Sequence, residues 1–284
     1  AARARASDLH IEPYPDRLRA RLRIDGVLHD WRTLTPRMAR VVVSRIKIMA
    51  SLDIAERRLP QDGRTGIDVD GTRFDLRVAT LPASHGEGIV IRFLRDSFAD
   101  ISLETIGIEG ADLARVRRAL ASPFGLILVV GPTGAGKSTT LAGALSERNQ
   151  PGVKIISIED PVEYQIDGVT QIAVKPTIGL SFASALRAIL RNDPDVIVVG
   201  ELRDAETAEM ATNAALTGHL VLATLHANDV AGTVPRLLDL GVDPSLIRSV
   251  LRLAIAQRLV RKLCSACKRM EADSYVAVGC SRCE

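Results

Sequence analysis

Residues 126–145, LILVVGPTGAGKSTTLAGAL, restrict the fold more than any other part of the chain. Residues 126–130 are an apolar run rich in β-branched side chains, and Leu141, Ala144 and Leu145 return at helical spacing. Between them lies G-x-x-x-x-G-K-[ST], spelled Gly131, Pro132, Thr133, Gly134, Ala135, Gly136, Lys137 and Ser138, with Thr139 following. In a strand–loop–helix setting the loop amides point inward around a phosphate chain. Lys137 then meets the β and γ oxygens, and Ser138 offers a hydroxyl to magnesium. The helix opening at the end of the loop adds partial positive charge. A chance glycine turn before an ordinary helix has no need of this pattern in this context, so the stretch predicts binding of a nucleoside triphosphate. What the energy drives must be read elsewhere.

Residues 1–96 predict a small α+β domain. From Leu18 the chain alternates, with Leu18, Ala20, Leu22 and Ile24 facing one way and Arg17, Arg19, Arg21 and Arg23 the other. Asp25-Gly26 is a hairpin turn and Val27-Leu28 opens the next strand. Arginines lined up on one strand face read first as a solvated surface and second as a contact for a ligand or partner. Pro36 at a first-turn position opens a helix over residues 36–50. Alternation resumes over 64–80 through Ile67, Val69, Phe74, Leu76 and Val78, and a loop over 81–88 precedes a strand at 89–94.

Residues 97–110, polar and containing glycine, are the expected linker. Beyond it strands and helices alternate: helix 111–121, the strand of the phosphate loop, strand 154–158, helix 182–190, strand 195–199, helix 205–216, strand 220–225, helix 229–240 and an amphipathic helix over 246–263. This order predicts an α/β domain over 111–263 with a largely parallel sheet. Its functional groups should gather at the carboxyl ends of the strands.

Those strand ends carry the expected chemistry. Residues 195–199 are an apolar strand ending in Gly200-Glu201, and Glu201 can order water around magnesium or take a proton from an attacking water. A second acidic cluster, Glu159, Asp160 and Glu163, follows another strand; acids there also cap helices or face solvent. His219 and His226 flank residues 220–225, each either a structural hydrogen-bonder or a phosphate sensor. Arg187 and Arg191 share a helix face and, with Arg203, are candidates to close over phosphates or to stay solvated. Cys264, Cys267, Cys280 and Cys283 form two C-x-x-C pairs with twelve residues between them. That suits a closed tetrahedral zinc site without catalytic room, and a reducing compartment.

Composition narrows the setting. A net charge of +3, with one Trp, three Tyr and five Phe, leaves little from which to build a basic channel with stacking aromatics. No run approaches the roughly eighteen apolar residues of a membrane span, and no signal-peptide pattern is present. A chain that opens AARARASD without a Met is expected to be a piece of a longer one.

Further segments join these motifs: Ser7-Asp8-Leu9-His10-Ile11-Glu12-Pro13, Arg45-Ile46-Lys47-Ile48-Met49, Pro60-Gln61-Asp62-Gly63-Arg64, Asp193-Pro194-Asp195, Leu202-Arg203-Asp204, Thr217-Gly218-His219 and Ala256-Gln257-Arg258-Leu259. Taken together, the chain resembles the secretion ATPase superfamily, in particular the type II secretion system ATPases, close kin of the type IV pilus assembly ATPases. The resemblance implies a RecA-like P-loop domain behind a PAS-like α+β domain, with a tetracysteine metal module over 264–284. It implies a homo-hexamer that hydrolyses ATP with Mg2+, holds Zn2+, and lies in the cytoplasm, peripheral on the inner membrane. Its partners would be a membrane platform protein and the cytoplasmic domain of a bitopic docking protein, with no nucleic acid. By match to the family's motifs, Lys137 and Ser138 hold phosphates and magnesium, Glu201 and Glu163 form the acidic pair near the attacking water, and His226 sits near the γ-phosphate. Arg77 and Arg92 reach the nucleotide when the domains close, and Arg187, Arg191 and Arg203 match arginines of inter-domain or inter-subunit contacts. A pilus assembly ATPase and a RecA-like nucleic-acid translocase are the alternatives. Three departures stand out: Glu201 where many P-loop enzymes carry Asp, which places magnesium on Ser138; Gly88 where the family has arginine; and short cysteine-pair spacing.

Overall fold

Period-two alternation becomes an antiparallel sheet in the computed structural model, which describes residues 1–4, 6–95 and 101–280. Cys283 and residues 97–100 of the expected linker lie outside the described residues. Two units lie on either side of residues 96–100, with the short segment Glu163–Gln165 grouped with the first.

The first unit runs β1 (Asp8–Pro13), β2 (Leu18–Ile24), β3 (Val27–Leu34), α1 (Pro36–Met49), β4 (Gln61–Val69), β5 (Thr72–Ala83) and β6 (Gly86–Arg95). The sheet order is β3-β2-β1-β6-β5-β4, every pair antiparallel. Ile11, Leu18, Leu76, Val78, Ile89 and Ile91 form one apolar face, and Val43 of α1 packs against it. The opposite face is charged, and each arginine of the alternating stretch meets a carboxylate: Arg17 with Asp16, Arg19 with Asp30, Arg21 with Glu12 and Arg23 with Asp8. That is the surface reading, satisfied pair by pair. Asp25 and Gly26, at φ 48° and 81°, make the expected hairpin. Between the alternation through Ile67 and Val69 and that through Phe74, Leu76 and Val78, Asp70-Gly71 makes a second turn of the same kind, which separates β4 from β5.

The second unit contains α2 (Gly110–Leu120), β7 (Gly125–Val130), α3 (Lys137–Arg148), β8 (Ile155–Glu159), β9 (Val169–Ala173), α4 (Phe182–Ile189), β10 (Val196–Val199), α5 (Ala205–Leu216), β11 (Leu220–Leu225), α6 (Thr233–Asp239), α7 (Pro244–Val250) and β12 (Leu251–Ala256). The sheet order is β12-β7-β11-β10-β8-β9, and all of its pairs are parallel. β7, β10 and β11 are buried along their whole length, as a sheet covered by helices on both faces requires. This is an α/β fold consistent with a RecA-like ATPase domain. A short hairpin of β13 (Arg269–Glu271) and β14 (Ser274–Val276) follows.

The amphipathic helix expected over 246–263 is corrected: α7 ends at Val250, and β12 pairs in parallel with β7. Leu251 and Ile255, four apart, also suit a helix continuing from α7, but Leu253 between them fits only a period of two, and the free edge of β7 supplies the hydrogen-bond ladder for the strand. The helix expected over 229–240 begins only at Thr233, because the Asp229 carboxylate accepts from Gly232 N–H at 2.7 Å in a preceding turn. Within the described part of the expected linker, Leu103 is fully buried. No helix among the described residues is long and apolar enough to cross a membrane.

Candidate nucleotide site and cysteine cluster

β7 ends at Val130 and α3 begins at Lys137, so residues 131–136 must reverse the chain within six residues. Gly131 and Gly136 do so at φ 152° and 84°, values that side chains with a Cβ rarely adopt. Lys137 Nζ donates to the carbonyls of Gly131 at 2.9 Å and Pro132 at 3.0 Å, which folds its ammonium over the loop. Ala135 is buried, while Pro132, Thr133 and Gly134 are exposed and Ser138 and Thr139 half-buried. A glycine cradle with an ammonium over it and a helix N-terminus beneath it fits a phosphate chain.

Parallel strands neighbouring β7 bring the next groups to the same edge. β11 lies beside β7 and β10 beside β11, so His226 and Glu201, one and two residues past their strands, emerge on the side where the loop begins. Glu201 Oε1 lies 2.8 Å from His226 Nε2, and Glu201 Oε2 accepts from Arg203 Nε at 2.5 Å. Arg203 Nη1 also donates to Asp160 at 3.1 Å. Its hydrogen bond to Glu201, helped by Asp160, raises the guanidinium pKa further, so this cation stays charged. The Glu201 side chain is only 16% exposed, so its charge acts where water screens little.

The remaining candidates have partners or positions of their own. Glu159 accepts from Ser157 at 2.6 Å and Gln171 at 3.0 Å, which ties it to β9. Glu163 stands in the loop between β8 and β9, in the segment that groups with the first unit. His219 precedes β11 at the opposite end from His226, and its Nδ1 lies 3.0 Å from Ala214 O, a structural bond. Arg187 pairs with Glu206 across α4 and α5. In the first unit Arg77 and Arg92 are direct cross-strand partners on β5 and β6, and Arg92 Nε lies 3.0 Å from Asp8. Sequence reasoning put Gln257 on a helix and gave it no role. It stands one residue beyond β12, beside the phosphate loop, and a strand reading of Leu251, Leu253 and Ile255 would have placed it there.

Cys264, Cys267 and Cys280 bring their sulfurs within 4.8 Å of one another, all half-buried. The β13–β14 hairpin returns the chain to Cys280, so the short spacing suffices. Thiols this close, drawn from two C-x-x-C pairs, fit a soft or borderline cation such as zinc.

Residues 1–284 match the family described as Type II/IV secretion system protein. The Type II secretion system protein E of Xanthomonas campestris pv. campestris is 54% identical over 263 residues, 93% of this chain and 46% of that protein. The Type IV pilus assembly ATPase PilB of Myxococcus xanthus is 49% identical over 270 residues, 95% of this chain and 48% of that protein. Among solved structures, that of the pilus retraction motor PilT with bound ADP superposes with a TM-score of 0.68 at 31% identity, covering 97% of this chain and 78% of that one. The chain spans about half the length of the curated relatives it matches. A family match along the whole chain, on a fold that lines up a phosphate-type loop, Glu201 and His226, makes this chain a member of the type II/IV secretion system protein family.

Proposed function

We propose that this chain hydrolyses ATP, with Mg2+, as part of a homo-hexameric motor that drives pseudopilus assembly and protein export by type II secretion. The single observation that carries the chemistry is the alignment of three adjacent strand ends, which sets Glu201 and His226 on the edge where the phosphate loop begins. In this reading residues 131–139 cradle the phosphates, Lys137 neutralises the β and γ oxygens, and Ser138 holds magnesium. Glu201 positions and deprotonates the attacking water with Glu163 as its acidic companion, and His226 senses the γ-phosphate through its contact with Glu201. Arg77 and Arg92 add charge to the transferred phosphoryl on closure, where a cation is worth most because solvent is excluded.

The division of labour would be a PAS-like α+β domain over 1–96, a linker over 97–110, the ATPase domain over 111–263 and a zinc module over 264–284, with Cys283 as fourth ligand. The motor would work in the cytoplasm, held to the inner membrane by a platform protein and a bitopic docking protein. The 49% identity to a type IV pilus assembly ATPase supports pilus assembly as the second reading. Genes for pseudopilins and a secretin beside this one would favour secretion over pilus assembly.

Glu201→Gln tests the chemistry. The amide keeps the shape and removes the base, so ATP should bind within about threefold of the parent while turnover falls by about a hundredfold or more. A binding titration run beside a phosphate-release assay checks both. Undiminished hydrolysis would remove Glu201 from the reaction.

A further inference from the structure

The phosphate loop is held from outside by a glutamine. Gln257 N–H donates to Val130 O at 3.1 Å, which carries the β12–β7 ladder up to the residue before Gly131. Its carboxamide then reaches across the loop: Nε2 donates to Ala135 O at 2.5 Å, and Oε1 accepts from Thr140 Oγ1 at 2.6 Å. Because Ala135 O can only accept, the amide has one orientation; the reverse would set two acceptors against each other. Two loop glycines leave the room. A Cβ on Gly131 would lie 2.8 Å from Gln257 O, and one on Gly136 would lie 3.1 Å from Gln257 Nε2. Arg258 donates to Gln257 O at 2.9 Å and also to Asn228 O, in the loop that follows His226.

In a planar trans peptide the carbonyl and the next N–H point in opposite directions. With Ala135 O drawn onto Gln257, the N–H of Gly136 is turned to the other side of the loop. We infer that Gln257 is a positioning residue for the nucleotide's phosphates: it presets the Ala135–Gly136 peptide so that the Gly136 amide meets a phosphate oxygen. Through Thr140, which is buried in the first turn of α3, it fixes that helix start in the same frame. The inference rests on the reading of residues 131–138 as a triphosphate site. The position needs a donor and an acceptor at once at the end of a three-carbon reach. Glutamine supplies both, whereas glutamate, of the same shape, would press an oxygen against Ala135 O.

The test uses the full chain, with ATP titrations and steady-state kinetics for Gln257→Met, Gln257→Glu and Thr140→Val. Loss of two hydrogen bonds should raise the Kd and KM for ATP about tenfold in Gln257→Met. Gln257→Glu should be worse than Gln257→Met, and kcat should stay within about threefold in the latter. Thr140→Val breaks the same bridge from its far end and should move KM in the same direction, so the outcome does not hang on one variant's folding. A merely structural glutamine would lower the melting temperature of the nucleotide-free chain while Kd held in the folded fraction, and that result overturns the inference. So does a Gln257→Glu chain no weaker for ATP than Gln257→Met. A parent chain that binds no ATP would instead defeat the triphosphate reading, and this inference with it.

Discussion

Lys47 is 1% exposed, which is unusual for a lysine, and what it does there sets a stability prediction. Its ammonium lies against the Glu87 carboxylate, itself 6% exposed, and donates to Glu56 O at 2.6 Å. Gln61 Nε2 donates to the same carbonyl and to Asp53 O, each at 3.0 Å, so one buried cation organises residues 53–61 beneath α1. Removing one partner of a buried pair leaves the other charge uncompensated, which costs about 3–5 kcal/mol. Lys47→Met should therefore lower the unfolding free energy of the first unit by roughly that amount, and adding Glu87→Leu should restore much of it. Urea titrations of the single and double variants check this; a double variant no better than the single one removes the pair from the account. In the sequence Lys47 passes for an ordinary polar position on an amphipathic helix. Its burial depends on Glu87, forty residues away, and no local periodicity carries that pairing. The phosphate loop was legible for the opposite reason, since its chemistry and its backbone geometry lie within eight consecutive residues.

Elements built from local contacts were readable in the same way. β7, β10 and β11 are almost wholly apolar runs that only a covered sheet can bury, and in the sequence Glu201 and His226 follow directly on two of them. β12 was harder to read, because Leu251 and Ile255, four apart, also extend the helical spacing of α7, and the neighbour that decides, β7, is more than a hundred residues away. The β13–β14 hairpin poses a different problem. Each of its strands has three residues, and Val276 alone among them is half-buried, so no apolar core can hold it. A metal closed by the thiols of Cys264, Cys267 and Cys280, with Cys283 as fourth ligand, would supply that stability. Elemental analysis should find one zinc per chain. Chelation should abolish hydrogen-exchange protection in the hairpin while ATP affinity stays within about threefold, because the parallel sheet has its own core. Iron in place of zinc, or a hairpin equally protected after chelation, would overturn this.

At the scale of the whole molecule, the first unit carries charge that its own stability does not explain. Arg64, Arg77 and Arg92 are successive cross-strand partners on β4, β5 and β6. Like charges placed directly opposite one another destabilise a sheet by up to about 1 kcal/mol per pair. Arg92 is relieved by Asp8, but among the described residues neither Arg64 nor Arg77 has a carboxylate within ion-pair distance. On the same face each of Arg17, Arg19, Arg21 and Arg23 has found one. A row that is costly in isolation fits a surface that works when an anion is presented to it, as the proposed closure on a triphosphate requires. The two roles of Arg77 then part in a single variant. Arg77→Ala should leave the melting temperature of the first unit unchanged or slightly raised, because a repulsion is removed, and should cut ATP turnover in the assembled protein by about tenfold or more. ATP affinity should change little, since the loop proposed to bind it belongs to the second unit. Calorimetry, a phosphate-release assay and a titration on the same preparation separate these outcomes. A variant that loses stability while turning over ATP at the parental rate would make Arg77 an ordinary structural arginine.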